Sequence, residues 1–340
     1  LWTCPDRRGL FVSGVALGTA SFLFLTTGGL ERFDAWTRQK QWQGLTVVEV
    51  TDSIYANIAV LKLGRTYSLY ENGLLSFSSE DTLAGEEIVH FPFLAHPGPQ
   101  NVLLVGNGWG GALSEALKYP VEIDYAGLDT SVADLAERYF PGHFFRPRYH
   151  PAVNIMDMDG RRYVKTAKKT YDLIIVNLPN PCTALINRYY TQDFFREARR
   201  LLNPSGIIAL RVSSSENYLS EEAKSFLRSI YTTLKSVFRQ VEVVPGGTNI
   251  FLASAAEGAV NVDAPYLVRR LNEQGIQTRY VREYYLPFRL SEGRRNDLAR
   301  VFEKPGQINT DLHPATYYYD MVLWSTHFTP GLRKFLAVFQ

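Results

Sequence analysis

Cysteine is nearly absent from this sequence: Cys4 and Cys182 are the only two in 340 residues. Two cysteines so far apart build no disulfide framework, and neither has a partner at metal-ligand spacing. Cys182, beside Pro181, reads as an inert loop thiol, because no neighbouring charge would stabilise a thiolate. An excess of one sign of charge is also missing. Lys and Arg number 36 against 34 Asp and Glu, a net charge of +2, which argues against a broad nucleic-acid-binding surface. There is no internal repeat and no low-complexity tract, so repeat architectures are excluded.

What is present begins with a long uncharged run. Gly9 to Leu30 holds no charged residue across 22 positions, enough for a helix to cross the hydrocarbon core of a bilayer. A signal-peptide core and a buried soluble helix are the alternatives. The run is longer than a usual signal core and has no obvious small-residue cleavage site. The expectation is a membrane-localised protein with a single visible span. Basic residues flank the run on both sides (Arg7 and Arg8 before, Arg32, Arg38 and Lys40 after), so the side of the soluble part stays undetermined. A chain of this length can bury a core with room for two domains and appendages. It begins at Leu1, as expected of a fragment or processed product.

Residues 1–44 therefore read as a transmembrane helix and linker. Residues 45–80 carry short β-prone runs, among them Val47–Val50, Ile58–Leu63 and Tyr67–Tyr70. Asn72-Gly73 between such runs is a strong hairpin signal. A small antiparallel β-domain is expected there. From 81 to 256 strand and helix alternate, with strands expected at 101–105, 123–128, 152–156, 171–177, 206–212, 239–244 and 249–253. Such alternation specifies an α/β fold with a Rossmann-like, class I methyltransferase-type, mostly parallel sheet. Pro245-Gly246-Gly247 joins the last two strands as a hairpin and gives an antiparallel edge. Residues 257–340 read as a mainly helical appendage with an aromatic, apolar tail that could lie on a membrane.

The most informative stretch is Val102-Leu-Leu-Val-Gly-Asn-Gly-Trp-Gly-Gly111, a buried strand running into a glycine turn and a helix start. Glycines there allow the backbone to approach a ligand, and free N–H groups favour polar or anionic atoms. A packing turn without ligand is the alternative. Asp129 lies 23 residues beyond Gly106, on the same strand face as position 127. Asp159 reads as a helix N-cap. Glu86, Glu87, His90 and His96 hold metal-capable groups, but a helix surface followed by the Pro97-Gly98-Pro99 turn accounts for them, and no metal is expected.

From about Tyr55 to Ser254 the chain resembles the spermidine synthase (polyamine aminopropyltransferase) family, and most of all its bacterial membrane-attached branch. Gly106, Gly108, Gly110 and Gly111 match that family's glycine loop, and Asp159-Gly160 its adenine-binding motif. The resemblance implies decarboxylated S-adenosylmethionine as substrate, with Gly106, Gly108, Gly110, Asp129 and Asp159 binding the nucleoside and Tyr55 facing the acceptor amine. It also implies a homodimer. Several acids are replaced. Trp109 stands at an Asp of the loop, Gly127 at the ribose-gripping Glu, and Asn177 and Asn180 at the two Asp residues of Asp-x-x-Asp-Pro. An amide neither takes a proton nor neutralises a cation as a carboxylate does. Trp109 is expected to plug the pocket, and Glu86 and Glu87 are the nearby substitutes for the missing base. The expected function is a membrane-tethered pseudoenzyme, an interaction module with membrane-protein partners. The alternative is an active aminopropyltransferase-like enzyme using decarboxylated S-adenosylmethionine or a related thioether nucleoside.

Overall fold

The computed structural model describes residues 28–325, apart from 54, 128, 141–146 and 217, together with residues 19, 24 and 26. A helix, Gly29–Gln41, leads into four antiparallel strands in spatial order β1 (Thr46–Asp52), β2 (Asn57–Leu63), β3 (Thr66–Glu71) and β4 (Leu74–Ser78). Asn72 and Gly73 close the β3–β4 hairpin with φ of 51° and 81°, the positive pair that a two-residue turn matched to strand twist needs. The Asn72 side chain accepts from the Asn57 N–H at 3.0 Å and so ties the turn to β2. Ile58, Val60, Leu69 and Phe77 from this sheet are buried in the same core as the larger domain.

That larger domain is a seven-stranded sheet. Its strands are β5 (Asn101–Gly106), β6 (Glu122–Gly127), β7 (Val153–Asp157), β8 (Tyr171–Asn177), β9 (Leu202–Ser213), β10 (Gln240–Val244) and β11 (Thr248–Ser254), in spatial order 10-11-9-8-5-6-7. β5 pairs in parallel with both β6 and β8, and β10 and β11 form the antiparallel edge. The expected α/β, mostly parallel sheet with its small antiparallel partner is thus present. Residues of β5 alternate between two cores: Val102 and Leu104 face one, Leu103 and Val105 the other. Period-two side chains buried on both faces explain why the strand reads as a continuous apolar run. The chain leaves β5 to one side for β6 and later returns on the other side for β8. This reversal opens a crevice at the carboxyl ends of the two strands.

Three sequence expectations are corrected. First, among the described residues no helix is long and apolar enough to cross a membrane, so the membrane localisation and the transmembrane part of the fold class have no structural support. The first continuous described helix, Gly29–Gln41, carries Glu31, Arg32, Asp34, Arg38 and Lys40, charges that a bilayer core does not accept. Residues 9–30 lie almost wholly outside the described residues. Second, the described part of the tail is packed against the protein. The helix Ala315–Ser325 packs on the helix Glu221–Lys235, with Thr316 and Val322 buried.

Third, Glu86, Glu87, His90 and His96 are not on a helix surface. All four are buried, at 1, 5, 0 and 5% exposure, in the helix Thr82–Ala95 or its cap. The Glu86 carboxylate accepts the backbone N–H groups of Arg279, Tyr280 and Val281 at 2.6, 2.8 and 2.8 Å. Glu87 pairs with Arg289 and accepts the Tyr285 hydroxyl at 2.5 Å. His90 bridges the Tyr119 hydroxyl and the Glu115 carboxylate at 2.7 and 2.9 Å. Glu86 and Glu87 are buried in this largely apolar helix because they bond the 264–302 appendage.

Breaking a buried ion pair strands its remaining charge, at a cost of about 3–5 kcal/mol. Glu87→Met and Arg289→Met are each expected to destabilise the fold by about 3 kcal/mol or more, read from denaturation midpoints. The double variant should lose clearly less than the sum of the two. Strict additivity would show that the pair contributes no coupling.

Candidate active site

The crevice between β5 and β8 holds a cavity of about 420 Å³, in the size range of small-molecule sites. Gly106 ends β5 with φ of 97°, and a Cβ there would stand 2.6 Å from the Asn177 carbonyl and from the Leu178 side chain. Only glycine fits that turn. Asn177, 4% exposed at the end of β8, donates its side-chain N–H to the Asn107 carbonyl. The Asn107 amide in turn donates to the Ser76 carbonyl of β4 at 2.8 Å and accepts the Gly110 N–H at 2.8 Å. The glycine turn is therefore fastened to both sheets, and the cavity lies where they meet.

The predicted site residues separate into those on the wall and those behind it. Tyr55, Gly106 and Asp129 line the cavity. Tyr55 stands at the rim, 45% exposed. Asp129 caps the helix Thr130–Tyr139 by accepting the Ser131 N–H on Oδ1 at 2.8 Å, while its buried Oδ2 has no partner among the described residues. Gly108 and Gly110 are packing glycines: a Cβ at 108 would strike the Tyr125 ring at 2.6 Å, and one at 110 the Asn107 side chain at 2.6 Å. Trp109 does not plug the cavity. It is 3% exposed, sits in the core and meets Tyr125 edge-on with ring centres 5.8 Å apart.

Asp159 caps the helix Gly160–Thr166, accepting the Arg162 N–H at 2.9 Å. Its other oxygen takes the Arg188 guanidinium and the Tyr189 hydroxyl, the latter at 3.2 Å. Gly160, Arg188 and Tyr189 are the members of this cluster that reach the cavity wall. Burial first, then the Asp159 charge, pushes the Tyr189 phenol up to about 12, so it remains a donor. Asn180 accepts the Ser213 N–H at 2.9 Å and donates to the Asp320 carboxylate at 3.2 Å.

Three wall residues were not singled out by sequence. Tyr125 donates to the Gly106 carbonyl at 2.9 Å. A Cβ on Gly127 would lie 2.6 Å from its hydroxyl oxygen, so the phenol fills the space that a side chain at 127 would need. Glu71, at the end of β3, and Asp320, from the helix Ala315–Ser325, both line the cavity. Desolvation raises the carboxyl of Glu71, with a hydrogen bond from Ser76 opposing it and the charge of Asp129 adding to it. Burial likewise raises Asp320, opposed by its bond from Asn180. The signal for Glu71 was its place directly before the Asn-Gly turn. Nothing local marks Asp320. Glu86 and Glu87, engaged as described, are not on the wall, and among the described residues no group of three or more His, Cys, Asp or Glu is placed to hold a metal ion.

Fold and cavity together define a Rossmann-like α/β domain of the methyltransferase type carrying a small N-terminal β-domain. Residues 82–257, more than half of the chain, match the family model described as spermine/spermidine synthase domain. The polyamine aminopropyltransferase of Thermoanaerobacter sp. (strain X514) is 32% identical over 208 residues, 59% of this chain and 73% of the relative. That of Korarchaeum cryptofilum is 31% identical over 248 residues, 68% and 73% of the two chains. The spermidine synthase of Thermotoga maritima superposes with a TM-score of 0.62 at 20% identity, covering 76% of this chain and 88% of that one. A spermidine synthase in complex with the transition state analogue AdoDATO gives 0.64 at 19%, with the same coverages. The chain belongs to the spermine/spermidine synthase family.

Because Gly106 combines a left-handed φ with a backbone contact that cannot yield, Gly106→Ala is expected to cost about 2 kcal/mol or more, seen as a lower denaturation midpoint. Gly73→Ala is strained in φ but meets nothing within 4 Å. It should cost about 1 kcal/mol.

Proposed function

We propose that the cavity binds a nucleoside of the decarboxylated S-adenosylmethionine class and that the protein transfers its aminopropyl group to an amine. The observation that carries this reading is Asp129, which lines the cavity beside the glycine turn and whose Oδ2 has no hydrogen-bond donor among the described residues. A buried acceptor without a donor is costly, and a ribose hydroxyl supplies the donor. Glu71 lines the same cavity and carries a carboxylate into the region where Gly127 leaves none. Asp159 acts on the base-binding end by holding Arg188 and Tyr189 against the wall. In the transfer, the amine lone pair attacks the methylene next to the sulfonium. The C–S bond breaks toward sulfur, methylthioadenosine leaves as a neutral thioether, and the new ammonium nitrogen gives up a proton to solvent water. The names of the related proteins support the same chemistry.

The reading as a reaction-free interaction module rests on the acids missing at 109, 127, 177 and 180. Trp109 and Asn177 face away from the cavity into the core and the glycine turn, so their lack of charge does not bear on the ligand. Glu71 and Asp320 are carboxylates that the module reading left out.

Calorimetric titration of the full chain with methylthioadenosine is expected to give micromolar binding. Asp129→Ala should weaken it at least tenfold, about 1.4 kcal/mol, the scale of one hydrogen bond to a charged group. Release of methylthioadenosine from decarboxylated S-adenosylmethionine in the presence of a diamine then tests the transfer. Binding without release would leave a nucleoside-binding module, and an absence of binding would overturn the proposal.

A further inference from the structure

The helix Ala315–Ser325 comes from far outside the α/β repeat and is fastened in place by polar ties. Thr316 donates its hydroxyl to the Asn187 side chain at 2.6 Å and its N–H to the Asn309 side chain at 3.3 Å. Asn309 itself bonds the Asn187 side chain and the Tyr190 carbonyl at 3.1 and 3.0 Å. With the first turn held, positions 317, 320 and 321 fall on one helix face, and Tyr317, Asp320 and Met321 line the cavity.

Asp320 is 9% exposed. One of its oxygens takes the Asn180 N–H, and among the described residues no cationic side chain offsets its charge. A carboxylate has acceptor capacity for several hydrogen bonds, and a buried one without a counter-charge is expensive. The rest of the wall adds negative charge. Glu71 and Asp129 are on it, and Arg188, the one arginine on it among the described residues, is already paired with Asp159. Among the described residues the cavity is thus short of a cation.

Asn180 shows how the pair is matched. Its amide oxygen accepts a backbone N–H while its amide nitrogen donates to Asp320. An aspartate at 180 could accept the first bond but not donate the second, and it would set a like charge against Asp320. Asparagine at 180 and aspartate at 320 are therefore complementary, with the carboxylate on the helix and the neutral donor on the loop after β8.

We propose that Asp320 holds the protonated amine of the acceptor, so that the carboxylate absent from position 180 is supplied by the C-terminal helix. This deepens the aminopropyl-transfer reading of the same cavity and rests on it. The ligand class is a short aliphatic diamine. Its ammonium meets Asp320, and its methylenes lie along the apolar wall formed by Leu178, Pro179 and Met321.

The test is calorimetric titration of the full chain with 1,4-diaminobutane, with and without saturating methylthioadenosine. Asp320→Asn is expected to weaken diamine binding at least tenfold and to leave methylthioadenosine affinity within twofold. The exchange variant Asn180→Asp with Asp320→Asn keeps the side-chain pairing and moves the carboxylate across it. It should recover diamine binding to within about threefold, which a merely structural Asp320 would not produce. In the wild type, diamine affinity should fall on acidification at a higher pH than for an ordinary exposed carboxylate, because burial raises the Asp320 carboxyl. Equal diamine binding by wild type and Asp320→Asn, or none by the wild type, would overturn the inference. Asp320-dependent diamine binding without any methylthioadenosine binding would uphold the amine site and overturn the nucleoside reading alone.

Discussion

Gly106 ends β5 where the chain must turn between two parallel neighbours, and its conformation makes the site possible. Its left-handed φ and the 2.6 Å that any Cβ would have to the Asn177 carbonyl admit no other residue. Around it, Asn177 bonds Asn107, and Asn107 bonds Ser76 and Gly110. These bonds are buried or half-buried, where polar groups must be satisfied. Together they hold the small antiparallel sheet against the carboxyl ends of β5 and β8. Asn177 is therefore a joint of the scaffold. An amide is the right group for it, because the position needs a donor toward a carbonyl, which a carboxylate cannot provide.

Two of the carboxylates on the cavity wall come from the periphery of the fold. Glu71 enters from the small sheet and Asp320 from the C-terminal helix, while Tyr125 fills the space beside Gly127. Two of the substitutions that look like losses along the sequence have a spatial counterpart: glycine at 127 with the phenol of Tyr125, asparagine at 180 with Asp320. Such paired changes keep a buried polar region satisfied where single changes would leave orphaned charge. The same logic explains Glu86 and Glu87. Their carboxylates are engaged by three backbone N–H groups and by Arg289, bonds that fasten the appendage.

Much of the architecture was legible in the residues. The apolar runs of β5 and β8, the Asn72-Gly73 turn and the Pro245-Gly246-Gly247 hairpin each dictate their own local structure through burial or φ requirements, and the strands lie within a few residues of where periodicity placed them. The family resemblance is likewise a property of ordered motifs. The uncharged run of residues 9–30 suggested a membrane span from length and hydropathy alone, but the described helix that follows it carries charge throughout.

Local conformation and sheet topology, then, are written along the chain, because turn chemistry and side-chain period act over a few neighbouring residues. Which of these acids line the cavity was decided only by tertiary structure. Helix position set Asp320 beside Asn180, 140 residues away. The direction of one turn sent Trp109 into the core, and the docking of the appendage converted Glu86 and Glu87 from surface candidates into buried ties. Charge and hydrogen-bond partners across such separations depend on packing, and no spacing in the sequence encodes them.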